Sequence, residues 1–213
     1  MQITLNEVIP SYFERDTVSH SDIWGKLISF SEGEHIHIVA PSGSGKTSLV
    51  HFMYGMRKDF TGSILYNDQP VLNLSLDKFS IYRQSTISII FQDMRLFADQ
   101  TVRQNIEIKR QLAPYHPTEK IAEMANRLGI GNKLARITNS CSYGEKQRIA
   151  IIRALMQPFK FILLDEPFSH LDENNRNKAM ELIAEEVEAR KASMIFADLK
   201  KLDFFDGKRI LRL

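Results

Sequence analysis

The sequence predicts an α/β fold in which a mainly parallel β-sheet is covered by helices on both faces. Two observations lead to this prediction. Residues 159–164 have the length of a strand, and their four consecutive apolar residues at 161–164 are typical of a parallel strand buried on both faces. Strand patterns at 35–40 and 194–197 alternate along the chain with helical patterns at 44–53 and 175–190, which is the order expected of βα units.

Each predicted element has its own signal. β-branched or alternating residues predict strands, and apolar residues at helical spacing predict helices. The segment 93–157 is mostly helical and lies between two strand patterns, so we expect it to form a lobe inserted into the sheet. In chain order the predicted strands are 2–8, 35–40, 61–66, 87–91, 159–164, 194–197 and 209–213, and the predicted helices are 44–53, 118–128, 142–155 and 175–190.

The composition excludes some classes of protein. The chain has 213 residues, of which 28 are Lys or Arg and 26 are Asp or Glu, so its formal net charge is +2. This balance gives no electrostatic case for nucleic acid as the main partner. The single cysteine, Cys141, excludes an intramolecular disulfide and favours a reducing compartment. We expect neither a secretory signal nor a membrane span, since no apolar stretch reaches roughly 18 residues.

A glycine-rich loop between a predicted strand and a predicted helix has the pattern of a phosphate-binding loop. Its glycines let backbone N–H groups point at an anion, and the positive end of the following helix strengthens the attraction. Lys46 can reach the terminal phosphates of ATP, and the Thr47 hydroxyl can ligate Mg²⁺. The alternative is an ordinary Gly/Ser turn, and the departure from the pattern is Ala40 at the first position. The loop reads Ala40-Pro41-Ser42-Gly43-Ser44-Gly45-Lys46-Thr47, followed by Ser48.

Two acids follow the apolar strand at 159–164. Because ligands of open parallel sheets bind at the carboxyl ends of the strands, we expect Asp165 and Glu166 to lie near the phosphate-binding loop. Asp165 could hold Mg²⁺ through water, and Glu166 could polarise an attacking water. The alternative is a solvated Asp-Glu-Pro turn after a buried strand.

Four further segments, in this order and spacing, resemble the nucleotide-binding subunits of ABC transporters over essentially the whole chain. They are Phe91-Gln92, Ser142-Tyr143-Gly144-Glu145-Lys146-Gln147-Arg148, Asp165-Glu166-Pro167-Phe168 and Ser169-His170-Leu171-Asp172. The resemblance implies one P-loop ABC cassette over residues 1–213, with an N-terminal antiparallel β part. Its nucleotide-binding core would comprise 1–92 and 158–213, and a helical signature subdomain would comprise 93–157. Ser142 and Glu145 also have the S-x-x-E spacing of a helix capping box.

The resemblance also implies a role for each matched residue. The implied catalytic residues are Glu166, Gln92 and Lys46, and the implied metal ligands are Thr47, Gln92 and Asp165. The implied nucleotide contacts are Tyr12 on adenine (with Phe13 as the alternative), Ser42, Gly43, Ser44, Gly45, Lys46, Thr47 and Ser48, together with Ser142 and Gly144 from a second copy. The implied partners are a head-to-tail homodimer, with Asp172 at its seam, and a separate transmembrane permease. The chain would lie on the inner face of the cell membrane, and no nucleic acid is expected.

Three positions depart from the family pattern. Tyr143 stands where the signature has glycine, Cys141 where it usually has leucine, and Ala197 where the family has the histidine that holds the γ-phosphate. Ala197 leaves two functions open: an ATP-hydrolysing motor subunit, or an ATP-gated binding module with little hydrolysis. We hypothesise that His170 faces the dimer seam and partly compensates, and the alternative is an exposed loop histidine. A DNA-repair or translation ABC protein and a small-molecule kinase fit the motifs and charge less well.

Residues 91–106 resemble the lipoprotein-release, cell-division and macrolide-efflux ATPases in particular. That likeness implies a membrane partner that transmits mechanical work to the periplasm, and no regulatory domain is expected after Leu213. The family's groove for a coupling helix would lie around Ile81-Tyr82-Arg83, Met94 and Leu96-Phe97. Alternatively, Leu96 and Phe97 pack the helical lobe.

Overall fold

Strands and helices alternate along the chain in the computed structural model, which describes residues 1–13, 18, 20–200 and 209–213. All the predicted elements are present, and their ends differ from the predicted ones by at most two residues. The elements are β1 (Gln2–Pro10), β2 (Leu27–Ser31), β3 (His35–Val39), α1 (Lys46–Met53), β4 (Phe60–Tyr66), β5 (Gln69–Pro70), α2 (Leu76–Ser85), β6 (Ile87–Ile90), α3 (Val102–Leu112), α4 (Glu119–Arg127), α5 (Tyr143–Leu155), β7 (Phe161–Asp165), α6 (Glu173–Arg190), β8 (Ser193–Asp198) and β9 (Arg209–Arg212).

Two sheets form the framework. The first has the order β2-β1-β4-β5 with antiparallel pairs, and the second has the order β6-β7-β8-β3-β9 with parallel pairs. This arrangement confirms the predicted parallel core sheet and the N-terminal antiparallel part. Because all strands of the second sheet run the same way, the carboxyl ends of β3, β6 and β7 meet at one edge. The loops that follow those strands build the site described below.

The core lies on both faces of the parallel sheet. Along β7, Phe161 and Leu163 belong to a cluster shared with the antiparallel sheet and α1, whereas Ile162 and Leu164 belong to a cluster shared with α4, α5 and α6. This alternation is the period of two expected of a strand covered on both sides. Helices α3, α4 and α5 come between β6 and β7, which confirms the inserted helical lobe.

Four elements were not predicted, namely β2, β5, α2 and α3. β2 has an alternating pattern (Leu27–Ser31) that could have revealed it, and α3 follows Thr101, which forms a capping box with Gln104. α2 offers little signal because Phe79 is its one buried side chain. In the described ranges, no helix is long and apolar enough to cross a membrane.

Candidate functional site

The loop between β3 and α1 has the backbone that a phosphate-binding loop requires. Gly43 and Gly45 have φ angles of +81° and +89°, in the left-handed region that disfavours side chains. Gly45 is also closely packed, since a Cβ there would lie 3.1 Å from ring atoms of Phe13 and Trp24. α1 begins at Lys46, so its free N-terminal N–H groups follow directly on the loop.

Two buried residues anchor this loop to the core: Trp24, and Ala40 at the start of the loop. The Trp24 indole N–H donates to the Ser44 carbonyl at 3.1 Å, and the ring packs edge-on against Phe52 of α1. Ala40 is fully buried, and its N–H donates to the Asp198 carbonyl at 3.0 Å. The methyl group at the first loop position is therefore accommodated in the interior. The sequence reasoning missed Trp24, whose only signal was that it is the single tryptophan of the chain.

Lys46 is nearly buried and bonds back to the loop. Its Nζ donates to the carbonyls of Ala40 and Pro41 at 3.0 and 3.1 Å and lies 3.4 Å from Glu166 Oε1. Only 5% of the side chain is exposed. Because water is largely excluded, the attraction of this ammonium group for a phosphate is stronger than it would be in bulk solvent.

Contacts between side chains join the other catalytic candidates to Lys46. The Gln92 amide donates to Glu166 Oε2 at 3.2 Å, and the Thr47 hydroxyl donates to Gln92 Oε1 at 3.4 Å. Glu166 has a φ of +44°, a left-handed conformation that costs a residue with a side chain about 1–2 kcal/mol. Strain of this kind persists where the surroundings hold a residue for function.

Asp165 ends β7 and is fully buried. Neither of its carboxylate oxygens has a hydrogen-bond partner among the described residues. Burial raises the pKa of Asp165 to about 6, although the nearby Thr47 and Lys46 act in the opposite direction. An orphaned carboxylate beside a hydroxyl and the Gln92 amide oxygen fits Mg²⁺, which takes one or two protein carboxylates and completes its shell with water and phosphate.

An open cavity of about 340 Å³ brings most of the predicted residues together. Tyr12 stands at its edge with 53% of the residue exposed, and its hydroxyl forms a hydrogen bond with Ser48 Oγ at 2.5 Å. Arg57, which the sequence reasoning missed, lies 5.4 Å over the Tyr12 ring and also donates to Ser48 Oγ. Ser44 lines a neighbouring cavity instead. The lining residues of the first cavity are Tyr12, Ser42, Gly43, Gly45, Lys46, Thr47, Ser48, Gln92 and Glu166.

The predicted capping box is present at the start of α5. Ser142 Oγ accepts from the Glu145 N–H at 3.3 Å, and Glu145 Oε2 accepts from the Ser142 N–H at 2.8 Å. Neither Ser142 nor Gly144 lines the cavity that contains Lys46. Tyr143 is 68% exposed, and its ring lies 5.3 Å from that of His170. Tyr143, which departs from the family pattern, is therefore in contact with His170 on the surface.

Ala197 is fully buried within β8 and belongs to the core cluster that includes α1. In the sheet it lies opposite Asp165, and its carbonyl accepts the Glu166 N–H at 3.0 Å. β8 thus contributes a backbone carbonyl beside the cavity rather than an imidazole. His170 does not line the cavity of its own chain, so any compensation by His170 would have to act across a dimer seam.

Comparisons with known proteins bear on the family and the fold of this chain. The ABC transporter family matches residues 27–169. The chain belongs to the ABC transporter family. Relatives at 32–35% identity include the macrolide export ATP-binding/permease protein MacB of Nitrosomonas europaea (35% over 72% of this chain), the thiamine import ATP-binding protein ThiQ of Vibrio cholerae (32% over 79%) and the lipoprotein-releasing system ATP-binding protein LolD 2 of Chlorobium chlorochromatii (33% over 75%).

The chain covers unequal shares of these relatives. The matched segment is 24% of MacB, 69% of ThiQ and 70% of LolD 2. The predicted likeness to macrolide-efflux and lipoprotein-release ATPases is confirmed, and an importer ATPase is about equally similar. Among solved structures, the dimeric post-hydrolysis state of an ATP-binding cassette bound to ADP and Pi superposes with a TM-score of 0.84 at 22% identity, covering 99% of this chain and 94% of that chain. This similarity establishes the ABC cassette fold, and the family membership identifies an ATP-binding, ATPase-type cassette.

Proposed function

We propose that this chain hydrolyses ATP between two copies of itself and thereby drives a separate transmembrane partner. The observation that carries the proposal is the meeting of Lys46, Thr47, Gln92 and Glu166 at one cavity. These residues supply a cation for the terminal phosphates, a hydroxyl, an amide and a carboxylate. Phosphoryl transfer to water requires groups of these kinds, positioned around the phosphate.

In the proposed site the phosphates lie on the loop N–H groups and Lys46. A terminal phosphate carries more negative charge than Glu166, so it competes for the ammonium group that now lies 3.4 Å from the carboxylate. The freed carboxylate can then accept a hydrogen bond from water and polarise it for attack. Thr47, Gln92 and Asp165 would hold Mg²⁺, which neutralises charge that develops on the phosphates.

The proposed dimer is head-to-tail, so that Ser142 and Gly144 of each copy complete the ATP site of the other. The cavity supports this arrangement because α5 contributes nothing to its lining, while Ser142 is exposed at the N-terminus of that helix. The similar cassette that was solved with ADP and Pi is a dimer. We take 93–157 as the helical subdomain that carries the Ser142 segment, and the remaining residues as the nucleotide-binding core.

A cleft between α2 and α3 is the proposed docking site for the transmembrane partner. Its volume is about 340 Å³, and no Asp or Glu is among the described residues that line it. Its cations are Lys58, Arg83 and Lys109, and its apolar lining includes Leu76, which is 86% exposed. A helix with apolar anchors and a carboxylate would complement this surface. Docking there would hold the chain at the inner face of the cell membrane.

The residues predicted to form the coupling groove divide into two groups. Ile81 and Phe97 are 60% and 56% exposed and are available to a partner. Met94 is buried, and Leu96 packs against the core cluster of the helical lobe. The surroundings of Leu96 therefore match the alternative, in which this residue packs the helical lobe.

The purified chain and its Glu166→Gln variant together test the proposal. The wild type should release phosphate from ATP and Mg²⁺. The variant should bind a fluorescent ATP analogue equally well but accumulate as an ATP-bound dimer in size-exclusion chromatography with light scattering. Glutamine keeps the size of the side chain and removes its ability to accept a proton. Equal inertness of both proteins, with and without the membrane partner, would refute the motor function.

A second candidate function is an ATP-gated binding module, which Ala197 favours because no imidazole reaches the phosphates from β8. Such a module would dimerise with ATP but release little phosphate. Its dimerisation would be unchanged by Glu166→Gln, because there would be no turnover for the substitution to block. The two functions therefore differ in whether this variant prolongs the ATP-bound dimer.

A further inference from the structure

Gln147, in the second turn of α5, is fully buried, and its side chain hydrogen-bonds to the loop after β7. Its amide N–H group donates to the Glu166 carbonyl at 3.3 Å and lies 3.4 Å from Ser169 Oγ. Its amide oxygen accepts the His170 N–H at 2.9 Å. A single side chain of α5 thus hydrogen-bonds to both ends of the segment 166–170.

The backbone of Glu166 needs such support because its φ is +44°. A residue with a side chain leaves this region unless neighbouring groups hold it there. The Glu166 N–H donates to the Ala197 carbonyl. The Glu166 carbonyl accepts from the Gln147 side-chain amide and from the Ser169 N–H, the latter at 3.4 Å. Gln147 thus hydrogen-bonds through its side chain to the main chain of Glu166.

The first turn of α5 and the loop are also packed together. A Cβ on Gly144 would lie 3.0 Å from the His170 carbonyl, so glycine permits the close approach of the helix to the loop. The Tyr143 ring contacts the His170 ring on the same side. Both contacts join the Ser142 end of α5 to the segment that carries Glu166.

We propose that Gln147 is a positioning residue that couples the Ser142 end of α5 to the carboxylate of Glu166. The inference rests on the proposed function, in which Ser142 meets the ATP of the second copy while Glu166 acts on the ATP of its own. Gln147 would then convey occupancy of one ATP site to the catalytic group of the other. Its effect should appear in kcat and in cooperativity rather than in the affinity for ATP.

Gln147→Leu tests the coupling, with Gln157→Leu as the matched control. Gln157 is equally buried and donates to the carbonyls of Arg83 and Ile87 at 3.1 and 3.4 Å, away from the catalytic loop. We expect Gln147→Leu to lower kcat by about tenfold or more, to bring the Hill coefficient for ATP toward one, and to change the ATP Kd by less than about threefold. The control should keep kcat within twofold, even where its melting temperature falls equally.

Gln147→Glu gives a readout that a merely structural role would not move. The introduced carboxyl still accepts the His170 N–H, but it can donate to the Glu166 carbonyl only when protonated. The activity of this variant relative to wild type should therefore be low at pH 8 and recover as the pH falls toward 6. A flat ratio, or a kcat of Gln147→Leu within twofold of the control, would overturn the inference.

Failure of the proposed function is distinguishable from failure of the inference. If wild type does not bind ATP, the proposed function fails before any Gln147 variant is compared. If wild type binds ATP but does not hydrolyse it, amide hydrogen exchange of residues 166–170 replaces kcat as the readout. ATP should then protect this segment in wild type and in Gln157→Leu but not in Gln147→Leu, and equal protection in all three would overturn the inference.

Discussion

Replacing Lys109 by methionine should stabilise the isolated chain at neutral pH. Lys109 lies in α3, lines the cationic cleft, and has one hydrogen bond, from its Nζ to the Arg83 carbonyl at 3.4 Å. It forms no ion pair with the carboxylates of the described residues. Burial, together with the positive charges of Arg153 and Arg83, lowers the pKa of Lys109 from 10.5 to about 8. The charged form is thus disfavoured in the folded chain.

The size of the effect follows from that pKa. Each unit of pKa corresponds to about 1.4 kcal/mol, so the full shift amounts to about 3 kcal/mol. Partial contact with solvent reduces the expected gain to about 1–2 kcal/mol. The folded-state pKa of Lys109 lies below its unfolded value. The charge of Lys109 therefore destabilises the folded chain fully below pH 8, and this destabilisation disappears as the pH rises through 10.5.

Urea unfolding of Lys109→Met and wild type at pH 7 and pH 10.5 measures this difference. The variant should be more stable at pH 7 and about equal to wild type at pH 10.5. Lys178→Met, which changes an exposed lysine of α6, should show no such dependence on pH. A variant that is less stable at both values, or a gain that does not shrink at high pH, would contradict the assignment of an unbalanced charge to the cleft. In complex with the membrane partner, the same variant should weaken docking.

Three substitutions test the nucleotide cavity and the proposed seam. Gly45→Ala should lower the free energy of unfolding by about 1–3 kcal/mol and weaken ATP binding at least tenfold. The new methyl group is strained at positive φ and crowds Phe13 and Trp24. Denaturation measures the change in stability, and fluorescent-nucleotide titration measures the change in affinity. Tyr12→Ala should raise the Kd for ATP by about fivefold to 150-fold with kcat at saturation unchanged, since base stacking contributes about 1–3 kcal/mol. Tyr143→Gly should strengthen ATP-dependent dimerisation in light scattering by removing a ring that is 68% exposed, whereas Tyr143→Phe should not.

The fold followed from the sequence where one physical signal dominated. β7 was recognisable because a strand covered on both faces must be apolar throughout, and the turn at Gly43 and Gly45 because only glycine adopts that backbone at little cost. The start of α5 was recognisable from Ser142 and Glu145, whose mutual bonds are local in the chain. In each case the signal lies within a few consecutive residues of the sequence.

Tertiary contacts made the other features unpredictable. Trp24 supports a carbonyl 20 residues away, and Arg57 reaches Ser48 across the end of α1. Nothing near either residue in the sequence indicates its partner. Gln147 is a stronger case, because a glutamine in a polar helix start would ordinarily be exposed. Its burial arises only when α5 packs against the loop that follows β7.

Glu166 is held from several directions by Ala197, Gln147, Gln92 and Lys46. Its N–H is bonded to the Ala197 carbonyl, its own carbonyl to Gln147, and its carboxylate contacts Gln92 and Lys46. β8 takes part through its backbone, where the family pattern has a side chain. Hydrolysis by this chain should therefore depend on how firmly the carboxylate is positioned.

His170 provides the decisive comparison. Its ring lies on the surface against Tyr143, and it is absent from the lining of the cavity in its own chain. If positioning of Glu166 is sufficient, His170→Ala should keep kcat within twofold, while Gln92→Ala should lower it by about tenfold or more because it removes a direct contact with the carboxylate. Steady-state phosphate release by the two variants gives the answer. A larger loss in His170→Ala would show instead that an imidazole reaches the phosphate from the second copy, across the seam.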